Sequence, residues 1–190
     1  MWHRNVMSGR RPPCLLLSGG VDSALVGQLL LDAGSQPTAL FVNYGQPAAE
    51  AEVQASCAVA RHLGLVHHQL TMKGLDVPEQ GEIGGRNDLL IAAAQAAAPG
   101  RDVAIGVHAG TGYPDCSPEH HAAWQALLDI QHGGAVRVLA PLLLRSKGEI
   151  LRLAAAAGLP LAATYSCETS NVPCLNCSSC RDRAEIDAAP

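Results

Sequence analysis

The stretch Leu15-Leu16-Leu17-Ser18-Gly19-Gly20-Val21-Asp22-Ser23-Ala24-Leu25 decides the fold of this chain. A short apolar run ends at two glycines and a second apolar run follows, which predicts a buried strand that turns into a helix. The first amides of such a helix are free to bind phosphate, and glycine lets a phosphate oxygen approach the backbone closely. Ser18 and Ser23 can donate hydrogen bonds to an oxyanion, and Asp22 can hold Mg²⁺ or cap the helix.

The loop lacks the Lys that precedes the Ser or Thr of a Walker loop. It resembles the SGGxDS loop of the PP-loop ATP pyrophosphatases, which cleave ATP between the α and β phosphates and adenylate a substrate oxygen. The resemblance assigns ATP to Ser18, Gly19, Gly20, Val21, Asp22 and Ser23. The alternative is an ordinary strand–turn–helix connection that is rich in Ser and Gly.

Strand and helix signals alternate along the chain, which favours an α/β fold with a mainly parallel sheet. The predicted strands are Cys14–Leu17, Thr38–Val42, Val66–Leu70, Val103–Val107 and Val136–Leu139. The predicted helices are Asp22–Ala33, Ala48–His62, Asp88–Ala98, Pro118–His132 and Lys147–Ala157. Five strands with interleaved helices predict a doubly wound sheet that binds ligands at the carboxyl ends of its strands.

The alternating pattern stops at Tyr165, where the chain becomes polar and rich in Cys. We therefore divide it into an N-terminal arm over residues 1–13, an ATP-binding domain over 14–163 and a C-terminal segment over 164–190. The net charge of −4 disfavours a nucleic-acid surface, which needs a cluster of Lys and Arg. A free small molecule is the expected substrate.

Cysteine usage and the absence of long apolar runs indicate the compartment. No apolar run approaches the ~18 residues of a membrane span, and residues 1–13 do not have the pattern of a signal peptide. The chain has seven cysteines, and four of them lie within Cys167–Cys180. An odd total without a signal peptide predicts a cytoplasmic protein with a metal site rather than disulfides.

The four clustered cysteines are Cys167, Cys174, Cys177 and Cys180. Tetrahedral Zn²⁺ takes four soft ligands at about 2.3 Å, and closely spaced C-x-x-C pairs supply them from a tight turn. Four thiolates leave no open coordination position, which predicts a structural zinc ion. An iron–sulfur cluster and a redox-active C-x-x-C are the alternatives, although no thioredoxin-like strand precedes the motif.

The loop and the cysteine cluster together resemble the 7-cyano-7-deazaguanine synthases, in which a PP-loop domain is followed by a Cys₄ zinc site. Five further segments match motifs of that family in the same order: Asn43–Gln46 is similar to D-Y-G-Q, Gly85–Asn87 to P-G-R-N, Gly112–Cys116 to G-Y-P-D-C, Ser146–Ile150 to S-K-A-E-I, and Thr164–Cys167 to T-W-S-C. The resemblance covers roughly residues 14–183.

The resemblance implies an ATP-dependent ligase that forms carbon–nitrogen bonds. Such an enzyme adenylates the carboxylate of 7-carboxy-7-deazaguanine and uses ammonia to form first the amide and then the nitrile, a precursor of queuosine and archaeosine. The implied catalytic residues are Ser18, Asp22, Arg86 and Lys147, and the implied contacts to the base are Tyr44, Gln46, Tyr113 and Asp115. ATP, Mg²⁺ and Zn²⁺ are the implied cofactors, and a homodimer is the implied assembly.

The chain also departs from the family pattern. The segment Thr71–Gly85 is short, Pro47-Ala48-Ala49 replaces basic residues, and Ser117 replaces the Arg that follows P-D-C. An alternative is therefore a paralogue that forms the same acyl adenylate and transfers the deazaguanine acyl group to another amine, on a small molecule or a protein. Less favoured hypotheses are a tRNA-thiolating PP-loop enzyme and a non-catalytic nucleotide-binding module.

Overall fold

The computed structural model describes residues 11–79, 81 and 83–187. The strands are β1 (Cys14–Leu16), β2 (Thr38–Asn43), β3 (His67–Thr71), β4 (Val103–Ala104) and β5 (Val138–Leu139). The helices are α1 (Val21–Asp32), α2 (Ala49–His62), α3 (Arg86–Ala97), α4 (Pro118–His132), α5 (Lys147–Ala156) and α6 (Ser178–Asp187). The five predicted strands and five predicted helices are confirmed with small shifts at their ends, whereas most of the predicted N-terminal arm lies outside the described residues.

All five strands pair in parallel, in the order β3-β2-β1-β4-β5. Strand β1 lies in the middle of the sheet, and its apolar residues are buried on both faces because helices cover both. One core cluster joins Leu15 and Leu17 to apolar residues of α1, α2 and α5. The other joins Cys14 and Leu16 to residues of α3 and α4. The fold is a doubly wound α/β sheet, as predicted.

Helix termini follow from local sequence signals. Ser146 and Glu149 form a capping box at the start of α5, and Ser117 accepts a hydrogen bond from the His120 N–H at the start of α4. These two caps set the first residues of α4 and α5. The cap of α5 also places Lys147 at the first position of that helix, next to the carboxyl ends of the strands.

The C-terminal segment contains one helix that the sequence analysis did not predict, since α6 covers Ser178–Asp187. Helix α6 is polar, so it lacks the apolar period by which the other helices are predicted. Tertiary hydrogen bonds hold it instead: the Arg183 guanidinium donates to the carbonyl oxygens of Leu161 and Thr164 at 2.8 and 3.3 Å. These hydrogen bonds join α6 to residues 161–164.

Candidate functional site

A cavity of about 420 Å³ opens at the carboxyl ends of β1, β2 and β4. Strand order reverses on either side of β1, and this reversal is where ligands bind in open α/β sheets. Residues of the β1–α1 loop line the cavity together with Lys147, Arg86 and the C-terminal segment. The fold therefore brings residues that are far apart in the sequence to one ligand-sized space.

The β1–α1 loop presents the start of α1 to this cavity. Gly20 is the N-cap of α1, and no side chain caps the first amides of the helix. The Ser23 hydroxyl donates to the Gly20 carbonyl oxygen at 3.0 Å and lies 3.2 Å from the Ser18 hydroxyl. An uncapped helix N-terminus with two hydroxyls beside it is a binding site for an anion such as phosphate.

Close packing leaves the backbone of this loop no room to move. Gly19 has a φ of 90°, and a Cβ at this position would lie 2.6 Å from the Ser56 nitrogen in α2. On the other side, a Cβ at Gly106 would lie 2.7 Å from the Ser23 nitrogen. The Gly19 carbonyl oxygen accepts a hydrogen bond from the Tyr165 N–H at 3.0 Å. Both glycines are therefore required by close backbone approaches.

Two side chains from other elements lie next to the Asp22 carboxylate. The Lys147 ammonium donates to its two carboxylate oxygens at 2.8 and 3.1 Å. The Nε2 atom of His108 lies 3.9 Å from the Asp22 Oδ2 atom. Burial lowers the pKa of the His108 imidazole most strongly and the Lys147 charge adds to this, although the carboxylates of Asp22 and Asp182 oppose it. The His108 ring is therefore neutral at neutral pH.

A second cluster of polar and charged side chains surrounds Arg86, the first residue of α3. Burial opposes its charge, but Tyr44, Glu168 and Asp115 outweigh this effect and raise the pKa of the guanidinium. Burial also raises the pKa of the Tyr44 hydroxyl, to which Arg86 is hydrogen-bonded. Burial raises the pKa of Glu52, with a smaller contribution from Glu168 in the same direction. Arg86 is thus a fixed cation in the cavity wall.

Gln46 and Asp115 hold backbone and neighbouring side chains. The buried Gln46 side chain accepts from the Tyr44 N–H at 2.9 Å and donates to the Glu52 carboxylate at 2.7 Å. The Asp115 carboxylate accepts from the Asn87 N–H at 3.0 Å, at the start of α3. Tyr44, Gln46 and Tyr113 line the cavity, whereas Asp115 is not among its lining residues.

The four clustered cysteine sulfurs lie within 4.8 Å of one another. A tetrahedral site with Zn–S bonds of about 2.3 Å separates its sulfurs by about 3.8 Å. The Sγ atoms of Cys174 and Cys180 are 3.9 Å apart. The N–H groups of Cys174, Cys177 and Cys180 each point to the sulfur of a preceding cysteine at 3.3–3.4 Å, as at loops that wrap a metal ion. The donor set fits zinc.

His108, Glu52 and Glu168 lie in the cavity wall and were not among the site residues predicted from the sequence. His108 follows β4 closely, and its place after a strand at the topological reversal is a signal that could have identified it. Glu52 and Glu168 carry no such signal. They meet Arg86 only because α2 and the C-terminal segment pack on the same end of the sheet.

Within residues 11–79, 81 and 83–187, no helix has the length and apolar character that crossing a membrane requires.

Comparisons with known proteins identify relatives of this chain. The family model described as queuosine biosynthesis protein QueC matches residues 76–186, and the asparagine synthase model matches residues 4–82. The 7-cyano-7-deazaguanine synthase of Microcystis aeruginosa is 35% identical over an alignment of 209 positions, gaps included. The alignment covers 92% of this chain and 90% of the relative. The enzyme of the same name from Cupriavidus taiwanensis is 35% identical over 210 residues and covers 92% of each chain.

Solved structures share the fold at low sequence identity. The NMN synthetase of Francisella tularensis is 17% identical with a TM-score of 0.51, covering 96% of this chain and 79% of that one. A 4-thiouridine synthetase in complex with RNA and bound ATP is 19% identical with a TM-score of 0.55, covering 96% of this chain and 50% of that one. These similarities establish the sheet architecture alone.

Proposed function

This chain belongs to the 7-cyano-7-deazaguanine synthase family, and we propose that it is an ATP-dependent ligase that converts 7-carboxy-7-deazaguanine to the nitrile with ammonia. The observation that carries this proposal is the arrangement of the cavity. An uncapped helix N-terminus, two hydroxyls and the cations Lys147 and Arg86 line one space of about 420 Å³. That space suits a nucleotide and a planar acid bound side by side.

The first step is adenylation of the substrate. A carboxylate oxygen attacks the α-phosphorus of ATP, and the bond to the β-phosphate oxygen breaks with its electron pair on pyrophosphate. The amides of Val21 to Ser23 and the hydroxyls of Ser18 and Ser23 donate to the departing pyrophosphate, with Gly19 and Gly20 allowing its close approach. Charge grows on these phosphate oxygens in the transition state, so fixed donors accelerate the step.

Two cationic side chains of the cavity wall neutralise the phosphates. Arg86 is fixed by Tyr44 and Glu168, whereas Lys147 is held by Asp22. The Asp22 carboxylate already binds one cation, the Lys147 ammonium, so it offers the oxygen ligands and negative charge that suit Mg²⁺. Magnesium bound there would supply charge neutralisation beside the triphosphate.

The later steps form the carbon–nitrogen bond. Ammonia attacks the acyl carbon, the carbon–oxygen bond breaks with its electron pair on AMP, and one proton leaves the nitrogen, which gives the amide. The amide oxygen then attacks a second ATP and releases pyrophosphate and a proton. Loss of the last nitrogen proton expels AMP and gives the nitrile. Each of the two oxygen atoms of the substrate carboxylate thus leaves as part of an AMP molecule.

The deazaguanine ring is placed against Tyr44 and Tyr113, which offer aromatic faces to a flat base. Gln46 acts mainly by holding the Tyr44 backbone and the Glu52 carboxylate. Asp115 acts by fixing the start of α3, where Arg86 lies. In this proposal Gln46 and Asp115 are positioning residues, and their effect on the substrate passes through Tyr44 and Arg86.

The C-terminal segment, residues 164–190, is proposed to hold a structural zinc ion at Cys167, Cys174, Cys177 and Cys180. Zinc there would cross-link the segment that carries Tyr165, whose N–H binds the Gly19 carbonyl oxygen. The ion therefore supports the phosphate-binding loop from a distance. The family resemblance also implies a homodimer in a reducing cytoplasm, and sedimentation equilibrium measures the assembly.

The test is incubation of the protein with ATP, Mg²⁺, ammonium and 7-carboxy-7-deazaguanine, followed by mass spectrometry. The proposal predicts the nitrile together with AMP and pyrophosphate. AMP with turnover only after another amine is supplied would favour the acyl-transferring alternative. That alternative is favoured by one observation, the replacement of basic residues by Pro47, Ala48 and Ala49 after Gln46. Absence of AMP formation with any amine would contradict both.

A further inference from the structure

The base of the proposed substrate needs a hydrogen-bond acceptor in the cavity wall. Its ring carries two adjacent donors, the ring N1–H and the 2-amino group, as guanine does. Asp115, the acceptor that the family resemblance implies, binds the Asn87 N–H at 3.0 Å and lies outside the cavity lining formed by the described residues. Another carboxylate of the wall must therefore accept from this edge of the base.

Carboxylates lie in two parts of the cavity wall. The described lining residues include Asp22, Glu52, Glu168 and Asp182. Asp22 is bound by the Lys147 ammonium at 2.8 Å in the first turn of α1, where the phosphates are placed. Glu52 and Glu168 lie instead near Tyr44, because the charges of both act on the Tyr44 hydroxyl. They are the carboxylates on the side of the cavity where the base is placed.

The Gln46 amide joins the Glu52 carboxylate to Tyr44. Its oxygen accepts from the Tyr44 N–H at 2.9 Å. Its nitrogen donates to the Glu52 Oε2 atom at 2.7 Å and to the Val42 carbonyl oxygen at 3.2 Å. Gln46 is only 6% exposed, so turning the amide would leave buried polar atoms without partners. Tyr44 and Glu52 are thus held in a fixed relation to each other.

The Glu52 carboxylate has acceptor capacity left for a ligand. A carboxylate has about four lone-pair sites, and Gln46 uses one of them. Burial raises the pKa of Glu52, which indicates that the donors around the charged carboxylate do not compensate for its loss of water. The Glu52 backbone packs on the phosphate-binding loop, since a Cβ at Gly19 would lie 2.8 Å from its carbonyl oxygen. Glu52 therefore holds an acceptor at a fixed place relative to that loop.

We propose that the Glu52 carboxylate accepts hydrogen bonds from the N1–H and 2-amino groups of the deazaguanine ring and so selects this base. The inference rests on the proposed function, because it names the residue that recognises the substrate of that reaction. Two adjacent donors match the two oxygens of one carboxylate. Adenine does not match, since the ring nitrogen beside its amino group is an acceptor whose lone pair would face the carboxylate.

The test compares Glu52→Gln with Glu50→Gln, a matched control in the same first turn of α2 whose side chain is exposed. Glutamine at position 52 keeps an oxygen for Gln46 but replaces the other acceptor oxygen by an N–H donor. Calorimetry measures the Kd of 7-carboxy-7-deazaguanine and of the same acid without its 2-amino group. Both are titrated in the presence of α,β-methylene-ATP, which releases no pyrophosphate, and the Kd of this nucleotide is measured separately.

The unsubstituted protein should bind 7-carboxy-7-deazaguanine about tenfold or more tightly than the analogue without the amino group, because a hydrogen bond to a charged acceptor is lost. Glu52→Gln should weaken binding of 7-carboxy-7-deazaguanine by about tenfold or more and reduce the difference between the two acids to less than about threefold. The Kd of the nucleotide should stay unchanged. Glu50→Gln should bind all three ligands as the unsubstituted protein does.

A preference for the amino group that persists in Glu52→Gln would overturn the assignment, because another residue would then bind that group. Equal weakening of both acids would overturn it too, since Glu52 would then only support the fold of the site. Weaker binding of the nucleotide alone would show that Glu52 faces adenine. The predicted Kd pattern without amide or nitrile formation would contradict the proposed reaction and leave the base-binding role of Glu52 standing, whereas no binding of 7-carboxy-7-deazaguanine to the unsubstituted protein would overturn both.

Discussion

Replacement of Gly19 by alanine tests how tightly the phosphate-binding loop is packed. Gly19 has a φ of 90°, where a residue with a Cβ is strained by about 1–2 kcal/mol. The new Cβ would also lie 2.6 Å from the Ser56 nitrogen and 2.8 Å from the Glu52 carbonyl oxygen, both backbone atoms of α2. Overpacking of this kind costs about 1–3 kcal/mol. The two effects together predict a loss of roughly 3 kcal/mol.

Gly34→Ala is the matched control. Gly34 has a φ of 79°, but a Cβ there meets nothing within 4 Å, so only the backbone strain applies. For a chain of this size, each kcal/mol lowers Tm by roughly 2–4 °C. Gly19→Ala should therefore lower Tm by roughly 6–12 °C and Gly34→Ala by roughly 3–6 °C.

The assay is thermal unfolding followed by circular dichroism, with ATP binding measured by calorimetry. Gly19→Ala should also weaken ATP binding, because the loop must shift away from α2 and from its hydrogen bond to Tyr165. Gly34→Ala should leave ATP binding unchanged. Equal losses of Tm in the two variants, or unchanged ATP binding in Gly19→Ala, would refute the tight packing of the loop.

Three further perturbations address the site. Asp22→Ala should abolish AMP release, measured by chromatography, with a far-ultraviolet spectrum like that of the unsubstituted protein; retained AMP release would contradict the assignment of the loop. Cys174→Ser should lose the metal ion, which native mass spectrometry measures, and its C-terminal segment should become sensitive to proteolysis because metal binding and folding are coupled. A variant that stays protease-resistant and active would argue against structural zinc. Burial raises the pKa of Glu52, so its contribution to stability is complete below its unfolded pKa and is lost as pH rises through the folded value. The Tm of Glu52→Gln relative to the unsubstituted protein should thus rise as the pH is raised above the ordinary pKa of a glutamate, and a difference independent of pH would contradict the raised pKa of Glu52.

The strands and helices could be predicted because each carries its own local signal. The run Leu15–Leu17 ends at two glycines, and Ser146 with Glu149 marks the start of α5 before any tertiary contact is known. Helix α6 could not be predicted, since its stability comes from distant partners such as the carbonyl oxygens that Arg183 binds. Periodicity detects helices that bury an apolar face and misses those held by polar contacts.

The residues of the candidate site likewise fall into those that a local sequence signal identifies and those that it does not. The phosphate-binding loop and the cysteine cluster are short segments, so their residues are adjacent in the sequence and visible there. The pairing of Asp22 with Lys147 spans 125 positions, and the position of His108 next to Asp22 depends on the order of β1 and β4. Such contacts depend on the topology of the fold. The sequence pattern predicts the class of fold, but it does not predict which side chains become partners.

The central claim is that the substrate carboxylate attacks the α-phosphorus of ATP, and oxygen labelling tests it most directly. The protein is incubated with ATP, Mg²⁺, ammonium and 7-carboxy-7-deazaguanine in which both carboxylate oxygens are ¹⁸O, and the products are weighed by mass spectrometry. Adenylation at both steps predicts ¹⁸O in AMP, none in pyrophosphate and a nitrile without oxygen from the carboxylate. Label in pyrophosphate or inorganic phosphate, with unlabelled AMP, would contradict the account.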